Sequence, residues 1–349
     1  MKNALLVLNC ILLSIGNTAG PILIRLYFIH GGNRIWLPSF LQTAAFPLTL
    51  FPLIIVFFQR RKTRSSTGFF LIKPRLFICA AVIGLVMGFD NYLYSYGLAH
   101  LPVSTASLIV ATQLVFTAGF AFLLVKQKFT AYSINGIVLL TVGAAVLALG
   151  ASSDRPEGVS KREYMLGFVL TLLAAGLYGL LLPLIELSYK KSKQEINYTL
   201  ALEFQMVMCL FATVLCTVGM LINNDFQVIP RESEEFDLGK AKYYVVLVAV
   251  AIILQLFFLG QIGVIFGASS LLSAIIIAVT LPVTEILAVI FFHEKFQAAK
   301  GVSLALSLWG FVSYFYGEIK QNQNKNHTDP QTELSLPAVN PPTPSAGNA

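Results

Sequence analysis

Between residues 3 and 317 the chain is a series of long apolar runs separated by short polar segments. A hydrocarbon core roughly 30 Å thick takes about 20 helical residues to cross. Inside lipid the backbone must satisfy its own hydrogen bonds, so each run predicts a helix. Ten spans follow, at residues 4–28, 36–58, 74–98, 103–125, 131–151, 164–186, 198–222, 243–265, 268–292 and 298–317. The polar loop 152–163 divides them into two sets of five. The pattern therefore predicts an all-α integral membrane fold of ten transmembrane helices. Residues 1–151 form a first five-helix unit, and 164–319 a second. The tail 320–349 is polar and carries five prolines from Pro330 to Pro344. It has too little apolar surface to offset chain entropy, so disorder is expected there.

Composition sharpens the class. Charged residues make up 12% of the 349 residues, about half the usual share in soluble domains, and mean hydropathy is +0.74. The net charge of +7 comes from basic residues concentrated in loops, which reads as membrane topology and not as nucleic-acid binding. The densest clusters, at 60–64, 126–128 and 190–193, fall on one side if the N-terminus is inside. Both termini are then cytoplasmic. The apolar stretch after Lys2 is of full span length and has no clear cleavage site, so the first helix is expected to stay. Cys10, Cys79, Cys209 and Cys216 all lie within apolar runs without metal-ligand spacing, as packing residues do.

A weak repeat links the halves. Residues 107–150 align with 274–317, and Lys126-Gln127-Lys128-Phe129-Thr130 falls opposite His293-Glu294-Lys295-Phe296-Gln297. The two loops lie on opposite sides of the membrane under this topology, so the halves are inverted. Inverted five-helix repeats are the architecture of alternating-access carriers, with the site near the midplane.

Polar groups inside the runs are the candidates for chemistry, because an ionisable residue at a helix centre costs roughly 2.5–3.5 kcal/mol on insertion scales. Arg25 and Glu186 sit near span ends, where long side chains reach the interface. Asp90 lies mid-span beside Asn91, on a helix whose Gly84, Gly88, Asn91 and Ser95 share a small, polar face. That face suits a wet cavity or a close helix contact. Glu203 lies about two turns into its span without a basic residue in that span. It is the leading candidate for a proton that loads and leaves; a plain hydrogen bond to a neighbouring helix is the alternative. Glu285 follows Pro282, which removes a backbone donor, and is a third proton candidate.

Among neutral groups, Gln113 stacks one turn before Thr117, and Thr280 occupies its place in the second half. An amide offers donor and acceptor together, which suits a planar heterocycle. Gln261, Gln255 and Asn17 are placed to do the same, and Tyr178 or Tyr94 to stack on a base; each also serves as helix–helix glue. The substrate-binding candidates are thus Asn91, Gln113, Thr117, Tyr178, Glu203, Gln261 and Thr280. No nucleotide loop, paired metal ligands or serine nucleophile elbow is present, so neither catalysis nor a metal is expected.

Several strings resemble plant purine permeases: Gly16-Asn17-Thr18-Ala19-Gly20-Pro21 with Arg25-Leu26-Tyr27-Phe28, Asp90-Asn91-Tyr92-Leu93-Tyr94, Leu101-Pro102-Val103-Ser104-Thr105, Glu203-Phe204-Gln205, and the block 260–294. The resemblance covers all but the tail. It implies the drug/metabolite transporter fold, ten helices in two inverted halves, and proton-coupled uptake of adenine and related bases, including cytokinins and some alkaloids. It implies a plasma-membrane location and no cofactor. A carrier of phosphorylated metabolites such as nucleotide sugars calls for several cavity cations, yet apart from Arg75 and Lys300, within the first three residues of their spans, only Arg25 lies within a span. A non-transporting membrane receptor is the further alternative.

Overall fold

The computed structural model describes residues 2–63, 70–126, 131–150, 155–156, 158–192, 194–294 and 298–328, and among these the regular structure is entirely helical. The matched loops 127–130 and 295–297 and most of the tail, 329–349, lie outside the described residues. The helices are α1 (Lys2–Ile29), α2 (Trp36–Ala44), α3 (Leu50–Thr63), α4 (Pro74–His100), α5 (Val103–Ala111), α6 (Gln113–Phe120), α7 (Ala131–Gly150), α8 (Lys161–Lys190), α9 (Tyr198–Ile222), α10 (Asp225–Glu235), α11 (Lys240–Gly267), α12 (Ser270–Phe292) and α13 (Ala298–Thr328).

Among the described residues, eight helical stretches are long and apolar enough to cross a bilayer. They are Ala4–Ile29, Trp36–Ile55, Pro74–His100, Val103–Val125, Lys161–Lys190, Tyr198–Ile222, Lys240–Gly267 and Ser270–Phe292. Shorter apolar stretches, Ile134–Gly143 and Ala298–Ser313, lie in α7 and α13. The protein is a multi-pass membrane protein. α13 continues to Thr328, past residue 320 where the tail is expected to begin.

Two of the expected spans are interrupted. The second breaks after Ala44 into a 3-10 turn, Phe46–Thr49, before α3. Pro47 has no backbone donor to continue the α-helical ladder. The fourth breaks between α5 and α6 at Thr112, whose backbone N–H bonds to Ile109 O at 3.0 Å and whose hydroxyl bonds to the same carbonyl at 2.6 Å. It ends in a widened turn, Ala121–Val125, capped by Lys126 in the left-handed conformation at φ 57°.

Small residues set the closest approaches. A Cβ added at Gly84 of α4 would stand 2.3 Å from Met208 O of α9, and one at Gly88 2.9 Å from Ala212 O. On α1 and α11, Gly16 meets Phe257 Cβ at 2.4 Å and Gly260 meets Leu13 N at 2.4 Å by the same measure. Without attraction between apolar surfaces in lipid, such backbone contact is what holds helices together.

The packing partners form matched sets. α1 lies along α11 and α4 along α8; α2 lies on α9, α5 and α6 on α12, and α7 on α13. Buried side chains divide into a cluster between α4, α8, α9, α11 and α12 and a second one toward the end of the molecule that carries α10. Cys209 and Cys216 are buried in packing, Cys10 is partly buried and Cys79 is exposed; all are free thiols.

Candidate functional site

The helices line a central cavity of about 70 Å³, tighter than the ~300–1,000 Å³ usual for drug-sized ligands. Its walls come from α1 (Gly16, Asn17, Pro21), α2 (Gln42), α4 (Asp90, Asn91, Tyr94), α5 (Val110), α6 (Gln113), α8 (Ala174, Ala175, Tyr178), α11 (Leu254, Phe257, Phe258) and α12 (Ile277). Neither α7 nor α13 reaches it. The lining is therefore apolar and aromatic with a few amides, one carboxyl and no Lys or Arg.

The polar lining divides into groups already engaged and groups still open. Asn17 Nδ2 donates to Thr280 Oγ1 at 2.7 Å and Ile277 O at 3.0 Å. Gln42 Nε2 donates to Ser95 Oγ at 3.0 Å and Asn91 O at 3.2 Å. Tyr178 is fixed at its hydroxyl, which accepts from Gln261 Nε2 at 2.5 Å, while its ring centre lies 6.3 Å from that of Phe257. By contrast, Asp90 Oδ1, Asn91 Nδ2 and Gln113 Nε2 are buried and find no hydrogen-bond partner among the described residues. A buried polar group left unpaired costs about 1–3 kcal/mol. The cavity thus presents one carboxyl oxygen and two amide N–H donors to whatever enters.

The interrupted spans explain how two of the amides reach it. Gln113 opens α6 immediately after the break at Thr112, and Gln42 precedes the break at Ala45. Irregular backbone at membrane depth is tolerated where protein or a cavity surrounds it, and broken helices line binding sites in several carrier folds. The small face of α4 does both of the jobs open to it. Gly84 and Gly88 abut α9, while Asn91 lines the cavity.

Of the residues singled out from sequence, Asn17, Asp90, Asn91, Tyr94, Gln113 and Tyr178 converge here. Gln261 sits one layer back, orienting Tyr178, and Thr280 sits behind Asn17. Thr117 is fully buried where α6 meets α8; a Cβ at Gly179 would stand 3.0 Å from its backbone nitrogen. Gln255 is fully buried but does not line the cavity. Glu285 lines a separate, much smaller cavity of about 10 Å³ with Ser107 and Ser307.

Glu203 does not line the central cavity either. Its Oε2 accepts from the backbone N–H of Leu71 at 2.8 Å and of Ile72 at 2.9 Å, in the segment that leads into α4. Gln194 braces the same segment, donating to Leu71 O at 2.6 Å. Backbone amides freed by an extended segment explain why a carboxyl sits here, so its burial marks a tether. Arg25 is also a tie: Nη1 donates to Leu98 O at 2.8 Å and Ala99 O at 2.9 Å at the end of α4.

Sequence reasoning missed Gln42, Phe257 and Phe258. Gln42 carried a usable signal, an amide inside an apolar run four residues before Phe46-Pro47. The two phenylalanines carried none, being indistinguishable from the many Phe that face lipid.

The chain matches a family model described as purine nucleobase transmembrane transport over residues 4–324. The chain belongs to the purine permease family. Purine permease 3 of Arabidopsis thaliana is 56% identical over 328 residues, covering 93% of each chain. Purine permease 2 of the same plant is 59% identical over 345 residues, 95% of this chain and 96% of its own. Purine permease 21 is 38% identical over 320 residues, 91% of this chain and 82% of its own. These relatives are permeases and not enzymes. A solved crystal structure superposes with a TM-score of 0.57 at 15% identity, covering 89% of this chain and 98% of the other, a likeness of fold.

Proposed function

We propose that the protein is a proton-coupled carrier of purine bases that works by alternating access, with the central cavity as its substrate site. The observation that carries this reading is the trio of open polar atoms on Asp90, Asn91 and Gln113 in an otherwise apolar and aromatic cavity. A purine base is a flat aromatic ring with ring-nitrogen acceptors, a ring N–H and, in adenine, an exocyclic amine. Two amide donors answer the ring nitrogens, the carboxyl accepts from an N–H, and the Tyr178 and Phe257 rings offer apolar contact. A phosphorylated substrate finds no cation in this lining, which disfavours nucleotide-sugar carriage.

Proton coupling falls to Asp90 in this reading. An ionised carboxyl enclosed without a cation carries a large desolvation cost, which a proton removes. The closed, substrate-loaded carrier then favours neutral Asp90, and uptake draws protons with it. Glu285, which has both carboxyl oxygens buried without partners among the described residues, is a secondary proton site.

The inverted-repeat reading draws support from three features. Exchanging the halves turns the α1–α11 contact into α8–α4, and leaves α2–α9, α5/α6–α12 and α7–α13 as pairs across the pseudo-axis. Lys126 and His293 occupy matching positions in the sequence repeat, and both are left-handed, at φ 57° and 50°. The interrupted fourth span and its counterpart α12, which contains Pro282, flank the cavity. Completed by α7 and α13, this is a ten-helix carrier with cytoplasmic termini, the α10 end outward, in the plasma membrane. Cytokinins, which are adenines substituted on the exocyclic amine, belong to the same substrate class.

Labelled-adenine uptake in transport-deficient cells, at outside pH 5 and pH 8, tests the proposal. Uptake should be faster at the lower pH and collapse with a protonophore. Uptake indifferent to both removes proton coupling, and no uptake with adenine still bound to purified protein makes it a receptor.

A further inference from the structure

Two helices begin at opposite ends of the molecule with the same device. At the α10 end, Glu294 receives the first turn of α5: Val103 N donates to Oε1 at 2.7 Å and Ser104 N to Oε2 at 3.1 Å, and the Ser104 hydroxyl donates to Oε2. Lys300, 1% exposed, donates to Ser104 Oγ at 2.7 Å and stands 4.0 Å from Glu294. At the other end, Glu186 receives the start of α12: Ser270 N donates to Oε2 at 2.9 Å, as does the Ser270 hydroxyl, and Lys190 pairs with Oε1 at 2.8 Å. Each set is a Glu, a Ser and a Lys at a helix start, where free N–H groups and the helix dipole favour a carboxylate.

The helices held in this way start the fourth span and its repeat counterpart, and both spans contribute to the cavity wall. Glu294 reaches across from the end of α12 to α5, and Glu186 from α8 to α12, so each joins elements that are far apart in sequence. We propose that Glu294 and Glu186 are the two latches of the transport cycle, each closing one end of the central cavity and releasing in turn. This rests on the alternating-access reading above. Charge-assisted bonds to backbone N–H groups are strong enough to hold an end shut, and rehydration of the carboxylate and the helix start compensates when it opens. The two differ in setting. Lys300 is buried at the first latch, whereas Lys190 is 56% exposed at the second, so water competes more for the second.

The test places a reporter in the cavity, Ala174→Cys, in the full-length protein in intact cells. A membrane-impermeant maleimide is added outside, and labelling is read on the peptide by mass spectrometry, so the native thiols need not be removed. Glu294→Gln should raise labelling of the reporter severalfold and Glu186→Gln should lower it, with both signs reversed when the reagent is added to inside-out vesicles. Ser104→Ala and Ser270→Ala remove one donor and no charge. They should shift labelling in the same senses by less, and they decide the matter if the glutamine variants fail to reach the surface. Shifts in the same direction, or none, overturn the latches. If instead the reporter in the parent protein labels equally from both faces and adenine does not slow it, alternating access itself fails.

Discussion

The cavity around Asp90 and the helix entry around Glu203 are both built on a carboxyl buried within a spanning helix, 4% and 0% exposed. At Glu203 the burial is explained by what the oxygen receives, two backbone N–H groups from the segment before α4. At Asp90 one oxygen receives nothing from the described protein, in a cavity lined by two further unpaired donors. Burial raises the cost of a charge in both places, yet it is the second that lines the central cavity. The useful distinction is therefore between a buried polar group whose partner is protein and one whose partner is still to come.

The sharpest way to break this contrast is to neutralise each carboxyl. Asp90→Asn keeps the size and loses the titration together with one carboxyl oxygen. In the loaded, protonated carrier the bond at stake is between neutral groups and worth about 0.5–1.5 kcal/mol, so apparent affinity for adenine should fall by up to roughly tenfold, and the dependence of uptake on outside pH should vanish. Initial-rate uptake at several adenine concentrations and two pH values checks both. Glu203→Ala should act elsewhere. It removes the acceptor of two part-buried N–H groups, at up to about 1–3 kcal/mol each, lowering surface abundance and melting temperature in detergent. Uptake per surface molecule should keep its pH response. Loss of that response with abundance intact would return the proton role to Glu203.

How far the sequence reached follows the same line. Apolar run length showed a membrane protein and placed most helices, because the bilayer imposes both length and secondary structure. The break at Thr112 was not legible, since a span interrupted in mid-membrane keeps its hydrophobicity, whereas the break at Ala45 had a sign in Pro47 that run length alone passes over. Mid-span polarity singled out Asp90, Asn91, Gln113 and Tyr178, which line the cavity, and placed above them Glu203, which does not. Sequence shows that a group is costly in lipid, and not which neighbour offsets the cost. The N–H groups of Leu71 and Ile72 lie more than a hundred residues before Glu203, and nothing in their side chains announces them.

Smaller effects refine the cavity half of the comparison. Gln113→Leu preserves bulk and deletes an open donor, one neutral hydrogen bond worth about 0.5–1.5 kcal/mol, so KM for adenine should rise by up to roughly tenfold with the maximal rate little changed. Thr117, equally buried but lodged where α6 packs on α8, should not behave so. Thr117→Val should leave KM alone, and a KM change equal to that of Gln113→Leu would place both side chains at the substrate.

Glu232 extends the comparison to a carboxyl outside the spans, in α10. It is 5% exposed. Burial raises its pKa above the ordinary carboxyl range, opposed by hydrogen bonds from Tyr27 and Tyr243 and by the charge of Arg34. A raised carboxyl binds its proton more tightly folded than unfolded. Its contribution is therefore complete in acid, below the ordinary carboxyl value, and is lost as pH rises through the raised one. Asp225 is shifted the same way by burial, against Asn223 and Arg34. Glu232→Gln fixes the neutral form, so the fall in melting temperature from mildly acid to neutral pH should become shallower, with Asp225 sustaining the remaining slope. Uptake at fixed pH should barely change, because protein groups already face this carboxyl. If Glu232→Gln instead removed the pH dependence of uptake, the open oxygen of Asp90 would no longer be needed to explain proton coupling.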